Sequence, residues 1–375
     1  MRLKGIGFAA AIASTVIIIT TTAAMADAAT AAAARDDALQ TALDKVVATG
    51  QAGAVAEVRR DGTTWRGASG RARLDRPAPP PLNGRFRAGS VTKPFTGTVV
   101  LQLVAEGRVG LDDSVEHWLP GLVKGGAGDV TVRELLNQTS GLPDPVGALV
   151  DDDGLPRDRW RTWTLTQLAR LSNGLPRDPN PPGTHYSYSN NDYILLGMII
   201  EKAAGRSFRT EITRRIIVPL GLGGTFLPGA NPWLPAPHAN GYVTVRRDGR
   251  DVTYDMTVLN PTMAGSAGEI VSTTDDLNRF FAALLGGRLV RPDLLRQMTA
   301  GDNGFGIEST TLSCGVRIHG HGGGIPGYLT IAFASTDTRR QVALSINRYR
   351  ATDPSPAAMA FLNAAFCSGV HRHSR

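Results

Sequence analysis

The chain has 375 residues, 42% hydrophobic and 19% charged, and its 40 Lys and Arg against 33 Asp and Glu give a formal charge of +7. It is long enough for one large catalytic domain, or two sub-domains around one core. The positive excess is scattered as isolated arginines, with no basic block interleaved with aromatics, which argues against nucleic acid as a partner.

Arg2 and Lys4 precede an uncharged apolar stretch, residues 5–24, and Ala24-Met25-Ala26 fits a small-residue cleavage site. This pattern predicts a secretory signal peptide over residues 1–26. The competing reading is an N-terminal membrane anchor, because the stretch nearly reaches the roughly 20 residues that span a bilayer. The cleavage site favours removal, so the processed chain is expected to be secreted, extracellular and without a stable membrane anchor. The Ala-rich residues 27–36 predict a flexible lead-in, and the basic tail 369–375 predicts disorder. Cys314 and Cys367 are even in number in a chain expected to be exported, which predicts a disulfide between them.

Residues 37–47 have helical periodicity. Residues 54–60 and 63–67 flank Asp61-Gly62 and predict a hairpin. A short strand is predicted at 85–89, then helices at 95–106, 132–137, 165–171, 193–204, 208–218 and 276–285. Strands are predicted at 316–319, 328–333 and 341–346, before a closing helix at 356–366. Strands in both outer thirds, with helices between, predict an α/β (α+β) domain over residues 37–368. Its antiparallel sheet is expected from 37–105 and 264–368, with 106–263 as an inserted, mostly helical region.

Ser90-Val91-Thr92-Lys93 falls where the strand at 85–89 gives way to a helix. A serine there sits among free backbone N–H groups at the positive dipole end. A lysine three residues on shares its helix face, so its amine can reach the hydroxyl and help remove the proton. Only five lysines stand against 35 arginines, and Lys93 alone has a serine three residues before it. Tyr188-Ser189-Asn190 is the only Y-x-N, and His321-Gly322-Gly323 lies where the apolar strand at 328–333 should begin. Taken singly, each has a bland reading: a capping serine, a core tyrosine, a helix-capping Asn190, a flexible glycine loop.

Taken in order, the three motifs resemble the S-x-x-K, Y-x-N and H-x-G of the penicillin-recognising serine hydrolases. The similarity is to the branch holding class C β-lactamases, secreted D-alanyl-D-alanine carboxypeptidases and related esterases (peptidase family S12). Residues 135–142 resemble its L-L-x-H-T-S-G-L turn, with Gln138 in place of histidine, and residues 267–277 resemble its A-G-x-x-S-T-x-x-D-L segment. The resemblance covers residues 37–367 and implies a β-lactamase/transpeptidase-like fold with the site in a cleft. It implies Ser90 as nucleophile, Tyr188 as main general base and acid, and Lys93 as its electrostatic partner. Asn190 is implied as a donor to the acyl-side amide. The Ser90 and Gly324 N–H groups are implied as the oxyanion hole, with His321, Gly322 and Gly323 against substrate. From the residues alone, either Lys93 or Tyr188 can take the serine proton: both ordinary pKa values, about 10.4 and 10, are too high, and each can lower the other. His319 and His321 share a strand face but have no further ligand beside them in sequence, so no metal and no cofactor are expected.

The carboxypeptidase branch holds the substrate's terminal carboxylate with a threonine in its third motif, another just after it, and an arginine upstream. The matching positions here are Gly322, Gly324 and Glu308, and Glu308 would repel an anion. The expectation is a monomeric serine hydrolase that cleaves amide or ester bonds of a small-molecule or peptide substrate through an acyl-enzyme on Ser90. It would be carboxypeptidase- or β-lactamase-like, with weak release of terminal D-alanine. The alternatives are an esterase of the same fold and a non-catalytic penicillin-binding sensor module. An α/β-hydrolase is disfavoured: His321-Gly322-Gly323-Gly324 resembles a lipase oxyanion loop, but no G-x-S-x-G follows it.

Overall fold

The computed structural model describes residues 13–124 and 129–368. The first residues of the expected signal peptide and the tail at 369–375 lie outside the described residues. The chain opens with helix α1 (Ala13–Ala48), hairpin β1 (Gly53–Arg60) and β2 (Thr63–Gly70), a two-residue strand β3 (Phe86–Arg87), and helix α2 (Thr92–Ala105). Helices α3 (Val115–Trp118), α4 (Val132–Leu136), α5 (Leu165–Ser172), α6 (Asn190–Ala204), α7 (Phe208–Ile212) and α8 (Val218–Leu220) follow, with one π-helical turn at Thr213–Ile217. Then come hairpin β4 (Tyr242–Arg247) and β5 (Arg250–Asp255), β6 (Val271–Ser272), α9 (Thr274–Leu285) and α10 (Pro292–Met298). Strands β7 (Glu308–Thr311), β8 (Arg317–Ile325), β9 (Tyr328–Ser335) and β10 (Arg340–Asn347) lead into α11 (Ser355–Cys367).

The central sheet has the order β2-β1-β10-β9-β8-β7, with antiparallel neighbours throughout. The period-2 alternation of strands divides its side chains between two cores. Val342, Leu344 and Ile346 of β10 face one side, where Leu39, Leu43 and Val46 of α1 meet Phe361 and Phe366 of α11. Ala343, Ala332 and Ala334 face the other side, where small residues admit α2 and α9. There Phe95 and Phe280 stack at 3.6 Å between ring centroids. Cys314 and Cys367 form a disulfide across 53 residues, tying α11 to the loop before β8.

Several expectations are corrected. Residues 27–36 are helical within α1, not a flexible lead-in: alanine is the best helix former, and the helix is anchored downstream by Leu39, Leu43 and Val46. The region 106–263, expected to be mostly helical, also carries a separate hairpin, β4 and β5. Its turn, Asp248-Gly249, has positive φ at both residues, as Asp61-Gly62 does between β1 and β2. Helix α10 and strand β7 were also unforeseen. The residues 321–324 lie inside β8, not in a loop before an apolar strand. No described helix is long and apolar enough to cross a membrane.

Candidate active site

The edge of β8 beyond residue 320 has no strand partner on the side away from β9, because β7 pairs only with residues 317–320. Into this gap comes the turn Gly89–Val91 that opens α2. The approach demands glycine on both sides. A Cβ on Gly323 would sit 2.1 Å from the Ala88 carbonyl oxygen, and one on Gly89, whose φ is +54°, would sit 2.7 Å from the Gly324 oxygen. Thr92 locks the turn: its hydroxyl donates to the Gly89 carbonyl at 2.8 Å and accepts from Ile270 N–H at 3.0 Å.

Ser90 Oγ lies 3.1 Å from Lys93 Nζ and 2.7 Å from the Tyr188 hydroxyl. Lys93 is fully buried. Its amine donates to Asn190 Oδ1 at 2.7 Å and to the Ala267 carbonyl at 3.1 Å, and lies 4.7 Å from the centre of the Tyr188 ring. Burial pushes its pKa down to about 7, opposed by the carboxylates of Asp144, Glu308 and Asp192. Burial also pushes the Tyr188 phenol well above its ordinary value, although the hydrogen bond to Ser90 works the other way. Burial thus favours the neutral Lys93 amine and the un-ionised Tyr188 phenol.

Asn190 donates from its amide nitrogen to Asp144 at 2.9 Å, while its oxygen receives Lys93; the second amide hydrogen is the one that the expected bond to substrate would use. Ser189, not Asn190 or its neighbour, caps α6. Gly322 N–H donates to Glu308 Oε2 at 3.0 Å, away from β9. Strand alternation turns the Gly324 N–H to that same side. A Cβ on Gly324 would meet nothing within 4 Å, so the sheet face at this residue is open. Across the turn, a Cβ on Gly323 would also sit 2.9 Å from the Ser90 nitrogen, so the Ser90 amide packs directly against this stretch of β8. His321 is buried, its Nδ1 bonded to the Gly322 carbonyl and its pKa lowered by burial. His319 does not face the site. It bonds Ser309 at 2.7 Å and Thr336 at 3.1 Å.

Sequence reasoning missed three supports. Asp144 fixes Asn190. Gln138, in the left-handed region at φ +61°, accepts Ser189 N–H at 2.5 Å and so sets the Tyr188-Ser189-Asn190 backbone. Asp192 is buried, its pKa raised by desolvation, and it accepts a hydrogen bond from Ser140 Oγ at 2.5 Å. Only Gln138 stood in a recognisable motif.

This geometry belongs to a known family. The beta-lactamase family profile matches residues 39–365, and the chain belongs to that family, within the penicillin-recognising serine hydrolases. It is 38% identical to a D-stereospecific amidohydrolase from Streptomyces sp., at a TM-score of 0.80 over 88% of this chain and 98% of that one. It is 28% identical to a D-amino acid amidase from Ochrobactrum anthropi SV3, at a TM-score of 0.76 and the same coverage. Penicillin-binding protein 4* of Bacillus subtilis (strain 168) is 30% identical over 315 residues, 77% of this chain but 66% of that protein's length.

Proposed function

We propose that this protein is an exported serine amidase that acylates Ser90 with D-configured amino-acid amides or short peptides. The observation that carries the reading is the Ser90 hydroxyl held at 3.1 Å from the fully buried Lys93 amine and at 2.7 Å from the Tyr188 hydroxyl. Lys93 takes the Ser90 proton as Oγ attacks the substrate carbonyl carbon. The oxyanion is held by the Ser90 and Gly324 amides. Collapse breaks the C–N bond as Tyr188 gives its proton to the leaving nitrogen and is re-protonated by Lys93. Water then attacks the ester by the same route, and Ser90 is regenerated. The D-configured amide class is supported by the two amidases named above, and it suits a site in which Gly322, Gly324 and Glu308 replace carboxylate-binding groups. Export is supported by the expected signal peptide and the disulfide.

The test is hydrolysis of D- and L-phenylalanine amide, acyl-D-Ala-D-Ala and a short-chain ester, with Ser90→Ala as control. Turnover of the D-amide above its L-enantiomer and above the dipeptide supports the reading. A preference for the ester alone makes the protein an esterase of this fold. Failure of a fluorophosphonate to label Ser90 ends both.

A further inference from the structure

Glu308 stands on β7 with its side chain 40% exposed. Its direction is fixed, because Oε2 receives the Gly322 N–H at 3.0 Å. Its only cationic neighbour at ion-pair distance among the described residues is His321, 3.7 Å from Oε1, and burial favours the neutral form of that imidazole. Here, then, is an aimed carboxylate without a permanent counter-ion. Tyr186 and Tyr188, which keep part of their surface exposed although the Tyr188 hydroxyl is turned in against Ser90, line the same depression as Glu308, His321 and Lys93. Its free volume, about 10 Å³, is close to what one water or ammonium group requires.

Chemistry decides which half of a substrate meets this depression. A leaving nitrogen must lie beside the group that protonates it, and in the reading above that group is Tyr188. The substituent on the leaving nitrogen therefore falls between Tyr188 and Glu308. The acyl half has a different exit: a cavity of about 290 Å³ opens from Gly324 along the β8–β9 turn toward Tyr242 and Arg348.

We propose that Glu308, flanked by Tyr186 and Tyr188, forms a leaving-group subsite that selects amines carrying a second, positively charged group, as in amides of diamines or of basic amino acids. The carboxylate supplies a charge-assisted hydrogen bond, the tyrosine faces attract a cation, and an anionic leaving group is repelled. The inference rests on Ser90 being acylated as described above.

The experiment uses three amides of D-phenylalanine that differ only in the leaving amine: butylamide, 4-aminobutylamide and 3-carboxypropylamide. Released D-phenylalanine gives kcat/KM for each. The expected order is cationic, neutral, anionic, with about tenfold between successive members. Glu308→Gln, which keeps an acceptor for Gly322, should bring the three close together, and Glu308→Arg should reverse the order. Each ratio is read within one variant, so a general loss of activity cancels. In the wild-type protein the cationic preference should also shrink with added salt. Should amide turnover be too slow, Ser90 labelling rates by phosphonates with choline-like, neutral or carboxylate-bearing leaving alcohols should follow the same order. Equal rates across the series, or an order unchanged by Glu308→Gln, would overturn the subsite. Absence of any Ser90 labelling would instead overturn the acyl-enzyme reading on which it rests.

Discussion

Replacing Lys93 with methionine should destroy activity at little or no cost in stability at pH 7. The amine is fully buried and its pKa falls from 10.5 to about 7. At about 1.36 kcal/mol per pKa unit, keeping this group in the fold at pH 7 costs about 5 kcal/mol. Methionine has similar length and no charge, but it strands the acceptors on Asn190 and Ala267, at about 1–3 kcal/mol for each one left unpaired. The net change at pH 7 therefore lies between a gain of about 3 kcal/mol and a loss of about 1 kcal/mol. Between pH 7 and 10.5 the unfolded chain binds more protons at this lysine than the folded one, so wild-type stability rises with pH. The variant must therefore lose ground to wild type over that window. Denaturant melts of both proteins at pH 7 and pH 10 measure this, and kcat/KM on a D-amino-acid amide should fall by about 10²–10⁴. A Lys93→Met protein less stable than wild type at pH 7 by more than about 1 kcal/mol, with a gap independent of pH, would refute the argument that burial neutralises the amine.

Ser90→Ala should abolish turnover and fluorophosphonate labelling while the circular dichroism stays native. Tyr188→Phe should slow hydrolysis by about 10²–10⁴, and combined with Lys93→Met should lose less than the product of the two, because they serve one proton path; multiplicative losses would separate their roles. The glycines of β8 should differ sharply. Gly323→Ala should displace the Ser90 turn and cost both activity and melting temperature, since its Cβ meets the Ala88 oxygen at 2.1 Å. A Cβ at Gly322 or Gly324 would meet nothing closer than 3.6 Å; Gly322→Thr and Gly324→Thr with Glu308→Arg should raise D-alanine release from acyl-D-Ala-D-Ala relative to ester hydrolysis. Replacing both cysteines with serine should lower unfolding free energy by about 3–5 kcal/mol, as the 53-residue span falls between the loop lengths that give those values; melts with and without reductant test it.

The parts of the site written as local patterns were legible in the sequence. Ser90 and Lys93 are one helical turn apart, and Tyr188 precedes, and Asn190 opens, a helix whose apolar run is plain. What escaped was whatever acts only through tertiary contact. Asp144 has no motif and gains its role 46 residues from Asn190 in sequence. The proton order between Lys93 and Tyr188 depends on depth of burial, which no spacing reports. The β4–β5 hairpin was missed although Asp248-Gly249 repeats the signal used at Asp61-Gly62. Its strands are mostly exposed and polar, so they lack the alternation that marks a half-buried sheet. Strand β7 spans four residues, Glu-Ser-Thr-Thr, too few for a period to show.

The position of β10 between β1 and β9 sets a timetable for the molecule's assembly. Gly53 pairs with Asn347 and Arg60 with Arg340, so the first hairpin finds its neighbour only when nearly the whole polypeptide is present. Such distant pairing makes closure slow. A chain delivered from its N-terminus remains open until its last strand arrives, a state suited to threading through a narrow channel. A chain halted before residue 340 would leave β1 and β9 as bare strand edges, prone to pair with other unfinished copies.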